Sequence, residues 1–249
     1  MFAIISDIHA NIEALEVVKA DIDAKGITEI LCLGDIIGYG PNPREAIKIA
    51  RLARFSLLGN HEEAVLFHAE DFNAKARKAI DWTREQLNNS TDKEENYSLW
   101  DYLGDLKKDV TEGDVLYVHG SPRQPTREYV LPNDIKDVEK MSEIFEGFEA
   151  LCFCGHTHIP GVFSEGGQKF SYSRQLKNEY VLDRKEKVLI NVGSVGQPRD
   201  ADNRACYVTI DGELLRWHRL EYDFQATMAK IRNTPELADY LAERLRDGR

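Results

Sequence analysis

Short apolar runs alternate with amphipathic stretches through the first sixty residues, a rhythm that predicts βαβ units and a largely parallel sheet. Ala3-Ile4-Ile5-Ser6 reads as a buried strand. Ile12, Leu15, Val18 and Ile22 then recur at helical spacing, with Asn11 placed to cap the helix. Ile30-Leu31-Cys32-Leu33 reads as a second strand and Phe55-Ser56-Leu57-Leu58 as a third. Between them, Pro43 to Leu52 predicts a helix with Asn42 as cap and Pro43 in its first position. From 62 to about 105 the pattern turns helical, with Phe72, Ala76, Ile80, Thr83 and Leu87 in one stripe. Val115-Leu116-Tyr117-Val118 resumes the sheet, Ile135, Val138, Met141 and Phe145 predict another amphipathic helix, and Leu151-Cys152-Phe153-Cys154 a further strand. From Gly161 to Leu220 the pattern is mostly β, with a hairpin expected at Asp211-Gly212. The tail from Asp223 is helical, restarted by Thr234 as cap and Pro235. No repeat, low-complexity tract or linker divides the chain, so residues 1–249 are expected to form one α/β domain. It carries a helical insertion at about 62–105 and a helical tail at about 223–249.

Charge narrows the partners. Lys and Arg number 32 against 43 Asp and Glu, a net charge of −11, which disfavours long nucleic acid and anionic membrane, both of which select basic faces. Between Ser90 and Asp114 eight acidic residues face three lysines, read as a solvated face of the insertion. No apolar run approaches the roughly 20 residues of a membrane span, and Asp7 and His9 interrupt the apolar start, so a cytoplasmic location is expected. The four cysteines, Cys32, Cys152, Cys154 and Cys206, all lie in strand-like runs and read as reduced and buried rather than as a disulfide framework.

Five of the seven histidines stand just beyond predicted strands: His9, His61, His119, His156 and His158. Asp7, Asp35 and Asn60 share those strand ends. Imidazole mixed with carboxylate suits Mn, Fe, Co, Ni or Zn, whereas Mg and Ca prefer oxygen ligands. The i, i+2 spacing of Asp7 with His9, and of His156 with His158, would aim both side chains one way on an extended segment. Flanking glycines would let backbones approach closely. A lone strand-end histidine is usually structural; five together at one sheet edge point to a metal site. His68 and His218 lack such neighbours and read as bystanders.

Taken in order, Asp7-Ile8-His9, Gly34-Asp35-Ile36-Ile37-Gly38-Tyr39-Gly40, Gly59-Asn60-His61-Glu62, Val118-His119-Gly120 and Gly155-His156-Thr157-His158 resemble the calcineurin-like metallophosphoesterase superfamily. Asn191 to Arg199 resembles the loop that follows in its small bacterial and archaeal phosphoesterase branch. The resemblance implies a four-layer α/β/β/α sandwich with a dinuclear metal site at one edge of two sheets. It assigns Asp7, His9 and His158 to one divalent transition-metal ion and Asn60, His119 and His156 to the other, with Asp35 bridging. Two such ions can hold a bridging hydroxide and neutralise an in-line transition state. His61 would serve as general acid or electrostatic clamp, with Glu62 orienting it or capping the following helix.

A metal-dependent phosphoesterase acting on a small phosphomonoester, phosphodiester or dinucleoside polyphosphate is therefore expected. Protein Ser/Thr phosphatase is the alternative enzyme, disfavoured because Gly38 and Tyr39 stand where that branch carries an Asp pairing the catalytic histidine and a phosphate-binding Arg. A non-catalytic scaffold of the same fold is the alternative of another class, disfavoured by the complete ligand set. For the substrate phosphate, Arg199 is preferred over Arg123 and Arg127, since a guanidinium fork binds phosphate bidentately. Tyr39 and Asn42 are candidates for the same mouth. The insertion could shape the cleft or form a homodimer contact.

Overall fold

A computed structural model describes residues 1–69 and 73–249. The first half follows the predicted rhythm: β1 (Phe2–Ile5), α1 (Ile12–Ala24), β2 (Ile30–Cys32), α2 (Pro43–Ala50) and β3 (Phe55–Ser56). Three helices follow, α3 (Asn60–Leu66), α4 (Ala74–Leu87) and α5 (Lys93–Gly104). The hairpin β4 (Asp109–Glu112) and β5 (Val115–Val118) leads to α6 (Val138–Glu146) and β6 (Leu151–Cys154). Strands β7 (Gly161–Ser164), β8 (Lys169–Tyr172), β9 (Glu179–Val181), β10 (Val188–Asn191), β11 (Ala205–Asp211) and β12 (Leu214–Leu220) precede α7 (Phe224–Arg232) and α8 (Asp239–Asp247).

The strands form two six-stranded sheets, ordered β3-β2-β1-β11-β12-β9 and β4-β5-β6-β10-β7-β8. The first is parallel along one side, β3–β2–β1, and antiparallel from β11 onward, and the second has a parallel centre, β5–β6–β10, flanked by antiparallel strands. The parallel β1–β2–β3 set is what the rhythm of the first sixty residues predicted, and most of the antiparallel strands come from the β-rich second half. Period-two alternation sorts the side chains into layers. Ile4, Leu31, Phe153, Ile190 and Val208 fill the space between the sheets. Ala3, Ile5 and Cys32 face α1 and α2 with Leu15, Val18, Ile22 and Ile47. Cys152 and Cys154 face α6 with Met141, Ile144 and Phe145. The result is the four-layer α/β/β/α sandwich. All four cysteines are buried and unpaired.

Local expectations mostly hold, with identifiable exceptions. Asn11 caps α1 through a bond from the Ala14 amide, and Ala76, Ile80, Thr83 and Leu87 are buried along α4; Phe72 lies outside the described residues. The Asp211-Gly212 hairpin joins β11 and β12 as expected, with Asp211 opposite Leu214. Asn42 precedes α2 but makes no capping bond, because Lys230 of α7 engages its Oδ1 at 3.1 Å. The helix predicted from Ile135 to Phe145 is broken: residues 132–136 form a 3₁₀ turn, and Asp137 caps a separate α6, leaving Val138 exposed. Thr234 does not cap α8; its hydroxyl donates back to the Lys230 carbonyl at the end of α7, and Ala238 holds the cap position. On the acidic stretch, Asp92 caps α5 while Glu95, Glu112 and Asp114 pair with arginines or lysines, as a solvated charged face does. No described helix is long and apolar enough to cross a membrane.

Candidate metal centre

The chemistry-bearing residues stand at the ends of parallel strands of both sheets, where the residue pattern alone placed them along one. Asp7 and His9 follow β1, Asp35 follows β2, Asn60 and His61 open α3 after β3, His119 follows β5, and His156 and His158 follow β6. Among the described residues three buried sets converge so that their ligand atoms lie within 4.8 Å of one another: Asp7, His9 and His158; His9, Asp35 and His61; Asp35, His119 and His156. The expected reason for the i, i+2 spacing needs correction. Asp7, His9, His156 and His158 have φ of 54°, 49°, 64° and 60°, so each pair is aimed by left-handed turns rather than by an extended strand. Asp35, at φ 50°, does the same after β2. These turns stay anchored: the amides of Asp7 and His9 donate to the carbonyls of Gly34 and Asp35 at 2.9 Å. A side chain on Gly59 would place its Cβ 2.1 Å from Asp35 Oδ1, so only glycine admits the carboxylate there.

Each carboxylate commits one oxygen to the backbone and turns the other inward. Asp7 Oδ2 accepts from the His156 amide at 2.9 Å, and Asp35 Oδ1 from the His61 amide at 3.0 Å. The remaining Asp35 Oδ2 lies 3.7 Å from His9 Nε2 and 3.3 Å from His119 Nε2, common to both halves of the cluster. Asp7 Oδ1 lies 3.1 Å from His158 Nε2 and 3.9 Å from His9 Nε2, buried and without a hydrogen-bond donor.

The imidazole tautomers explain that. His119 Nδ1 faces the Leu33 carbonyl at 2.9 Å, His156 Nε2 the Arg127 carbonyl at 3.0 Å, and His158 Nδ1 the Gln197 carbonyl. A carbonyl only accepts, so each of these nitrogens carries hydrogen, and once a ring is neutral, as a metal requires, its other nitrogen presents a lone pair. Lone pairs then face one another: His119 Nε2 is 3.1 Å from His156 Nδ1 and 3.3 Å from Asn60 Oδ1. A buried gathering of acceptors is stable around cations, and outer bonds to carbonyls are how proteins orient imidazole ligands. The residues fit a metal centre. Protonation reports the same demand: burial opposes charge on His119, but Asp35 and Asp7 outweigh it and push the imidazole up to about 9. Burial, with His119 adding, pushes His156 down to about 3. Asp7 and Asp35 are held well below the usual carboxylate range, since the surrounding histidines outweigh the burial that would raise them.

Glu62 does not orient His61. Its carboxylate accepts from the amides of Asp35 at 2.8 Å, Ile37 at 3.0 Å and Gly59 at 2.9 Å, so it caps α3 and ties the loop after β2 to the loop after β3. His61 packs edge-on to Tyr39, ring centroids 4.2 Å apart, and to His9 at 4.8 Å. Burial pushes its imidazole down to about 4, with Arg199 contributing and Asp35 opposing. Arg199 lies close enough to lower His61 and His158 by its charge; Nη2 donates to Gln197 Oε1 at 2.8 Å, and the buried Nε has no hydrogen-bond partner. Arg123 is instead engaged by Glu128 and Glu143, and Arg127 pairs with Glu63. Asn42 is drawn away to Lys230. His218 stacks on Tyr207 and bonds Thr209, and His68 is exposed, as expected of bystanders.

Two contributors were not among the sequence candidates. Tyr129 stacks on His156 with centroids 3.8 Å apart, at the wall of a cleft of about 360 Å³ that also meets Tyr39 and Asn60. Asn191, at the end of β10, donates to the Gly155 carbonyl and to Thr157 Oγ1 and fixes the turn bearing His156 and His158. Position after a strand was the available signal for Asn191; Tyr129 lies in an irregular segment with none.

Comparison with known proteins agrees with this geometry. The family model for the calcineurin-like phosphoesterase superfamily domain matches residues 1–213. An uncharacterized protein of Methanocaldococcus jannaschii is 39% identical over 256 residues, spanning 100% of this chain and 98% of its own. The crystal structure of a metallophosphoesterase from Sphaerobacter thermophilus shares 36% identity and superposes with a TM-score of 0.83 over 100% of this chain and 99% of its own. A hypothetical protein of Pyrococcus horikoshii shares the fold at a TM-score of 0.74 and 18% identity, covering 100% of this chain and 98% of its own. With a metal-ligand cluster at its strand ends and a family match across most of its length, the chain belongs to the calcineurin-like phosphoesterase superfamily and is a metallophosphoesterase.

Proposed function

We propose that this enzyme hydrolyses a small phosphorylated compound, a phosphomonoester, phosphodiester or dinucleoside polyphosphate, at a centre for two divalent transition-metal ions. The observation that carries the reading is Asp35 Oδ2, placed between His9 Nε2 at 3.7 Å and His119 Nε2 at 3.3 Å. Asp7, His9 and His158 would hold one ion, Asn60, His119 and His156 the other, and Asp35 both; mixed nitrogen and oxygen donors favour Mn, Fe, Co, Ni or Zn. Bound there, the ions supply an activated water and neutralise charge on the phosphoryl group. Arg199 offers the buried Nε and the rest of its fork to a phosphoryl oxygen. His61 stands beside the cluster as the proton donor to the leaving oxygen; a dianionic phosphate brought against it offsets the burial that holds the ring neutral. Tyr39 packs on both His61 and His9 and walls this space. The four buried, unpaired cysteines support a reducing, cytoplasmic setting.

Protein Ser/Thr phosphatase remains the weaker reading. A Cβ on Gly38 would stand 2.1 Å from His61 Nδ1, so the ring occupies the space that a pairing Asp at this position would need. Chelator-stripped protein should lose hydrolysis of bis-p-nitrophenyl phosphate and regain it with Mn²⁺. Undiminished turnover in the stripped protein would contradict the proposal.

A further inference from the structure

Beside the metal ligands, the cleft of about 360 Å³ carries an aromatic wall that also meets Arg199, the arginine assigned to the substrate phosphate. Tyr129 is 43% exposed, although one face of its ring is covered by His156 at 3.8 Å and an interplanar angle of 26°. The rest of the ring lines the cleft. His156 cannot turn freely, because Nε2 is held by the Arg127 carbonyl and Nδ1 points at His119 Nε2. Tyr129 is thus a planar surface locked in orientation relative to the metal ligands. From the helical insertion, Asn73 and Ala76 reach the same cleft. Asn73 Oδ1 is committed to the amides of Lys75 and Ala76, which leaves its NH₂ as the donor, and Ala76 takes up little space.

Resting on the phosphoesterase reading above, we infer that Tyr129 is a stacking platform for the leaving group and that the substrate is a nucleoside phosphate. The cleft volume lies at the small end of ligand sites, suited to one nucleoside rather than to a nucleic acid strand or a folded protein partner. A flat aromatic surface rewards any base and leaves an aliphatic leaving group unrewarded, so discrimination falls between nucleoside and bare sugar, not among bases. The Asn73 NH₂ adds one donor for a ring nitrogen or carbonyl. The aliphatic serine of a phosphoprotein has no use for such a wall.

Competition by AMP and by ribose 5-phosphate against hydrolysis of bis-p-nitrophenyl phosphate by the Mn²⁺-loaded protein tests this, since the two share the phosphate and the sugar and differ in the base. Wild type should bind AMP about five- to a hundredfold more tightly. Tyr129→Leu, which keeps bulk over His156, should bring that ratio close to one, whereas Tyr129→Phe and Tyr129→Trp should preserve it. Equal affinities in the wild type overturn the inference. So does a Tyr129→Leu protein that loses affinity for both ligands alike, because the ring would then only shield His156. Failure of the phosphoesterase reading registers separately, as wild-type protein that does not hydrolyse bis-p-nitrophenyl phosphate with Mn²⁺.

Discussion

The two ends of the sandwich solve the same turn problem with different residues. At the far end, the β4–β5 and β11–β12 hairpins reverse through Gly113 and Gly212, with φ of 62° and 61°. At the metal end glycines such as Gly34 and Gly38 share the left-handed region with Asp7, His9, Ala10, Asp35, Tyr39, His156 and His158. A side chain in that region costs about 1–2 kcal/mol against the ordinary backbone. In these two hairpins no ligand has to be aimed and glycine avoids the cost; at Asp7, His9, Asp35, His156 and His158 the cost is accepted because the side chain itself is needed. Conformational strain therefore marks the functional edge.

The largest expected consequence concerns His61, which opens α3 beside these turns and which the proposal makes a proton donor rather than a ligand. His61→Ala should retain both metals in elemental analysis yet lose about 10²–10⁴-fold in turnover. Loss of metal would instead make His61 a ligand, in line with its place in the set with His9 and Asp35.

Next in size is a pH effect confined to the metal end. His119 in the metal-free protein titrates at about 9, above the ordinary histidine value, so at pH 7 a proton occupies the nitrogen a metal requires. Mn²⁺ affinity measured calorimetrically should then rise about tenfold per pH unit from 7 towards 9 and level off above. A flat profile would mean that no proton competes at His119.

Smallest is a matched pair of glycine changes. Gly212→Ala meets nothing within 4 Å and should cost only the backbone penalty of about 1–2 kcal/mol by denaturant titration, with turnover unchanged. Gly38→Ala, at φ 86°, carries a like penalty and drives its methyl into His61, so turnover should fall as well. Equal turnover in both variants would erase the distinction between the two ends.

Much of this was readable from the chain. The alternation of Ile4, Leu31 and Phe153 with Ala3, Cys32 and Cys152 is a direct reading of strand faces, and the stripe through Leu15, Val18 and Ile22 of a helix. The division of the strands into two sheets was not readable from periodicity, because short antiparallel strands such as Lys169–Tyr172 carry too few residues to show a period; the family resemblance supplied it. The ligand set was legible as residue types at strand ends, but the left-handed turns that aim it were not, since Asp and His have no strong sequence signature for that conformation. Glu62 illustrates a different limit. Its three amide partners lie on two loops separated by a helix and a strand, and only the fold shows that it joins them. Asn42 and Thr234 had the right residue type for caps, yet contacts around Lys230 decided otherwise.

The central claim is a shared carboxylate between two metal positions, and anomalous diffraction from crystals grown with Mn²⁺ tests it most directly. Two peaks about 3.5–4 Å apart are expected on either side of Asp35 Oδ2. One should lie against Asp7, His9 and His158, the other against Asn60, His119 and His156. A single peak at saturating Mn²⁺, or a pair that leaves Asp35 outside its coordination, would contradict the account.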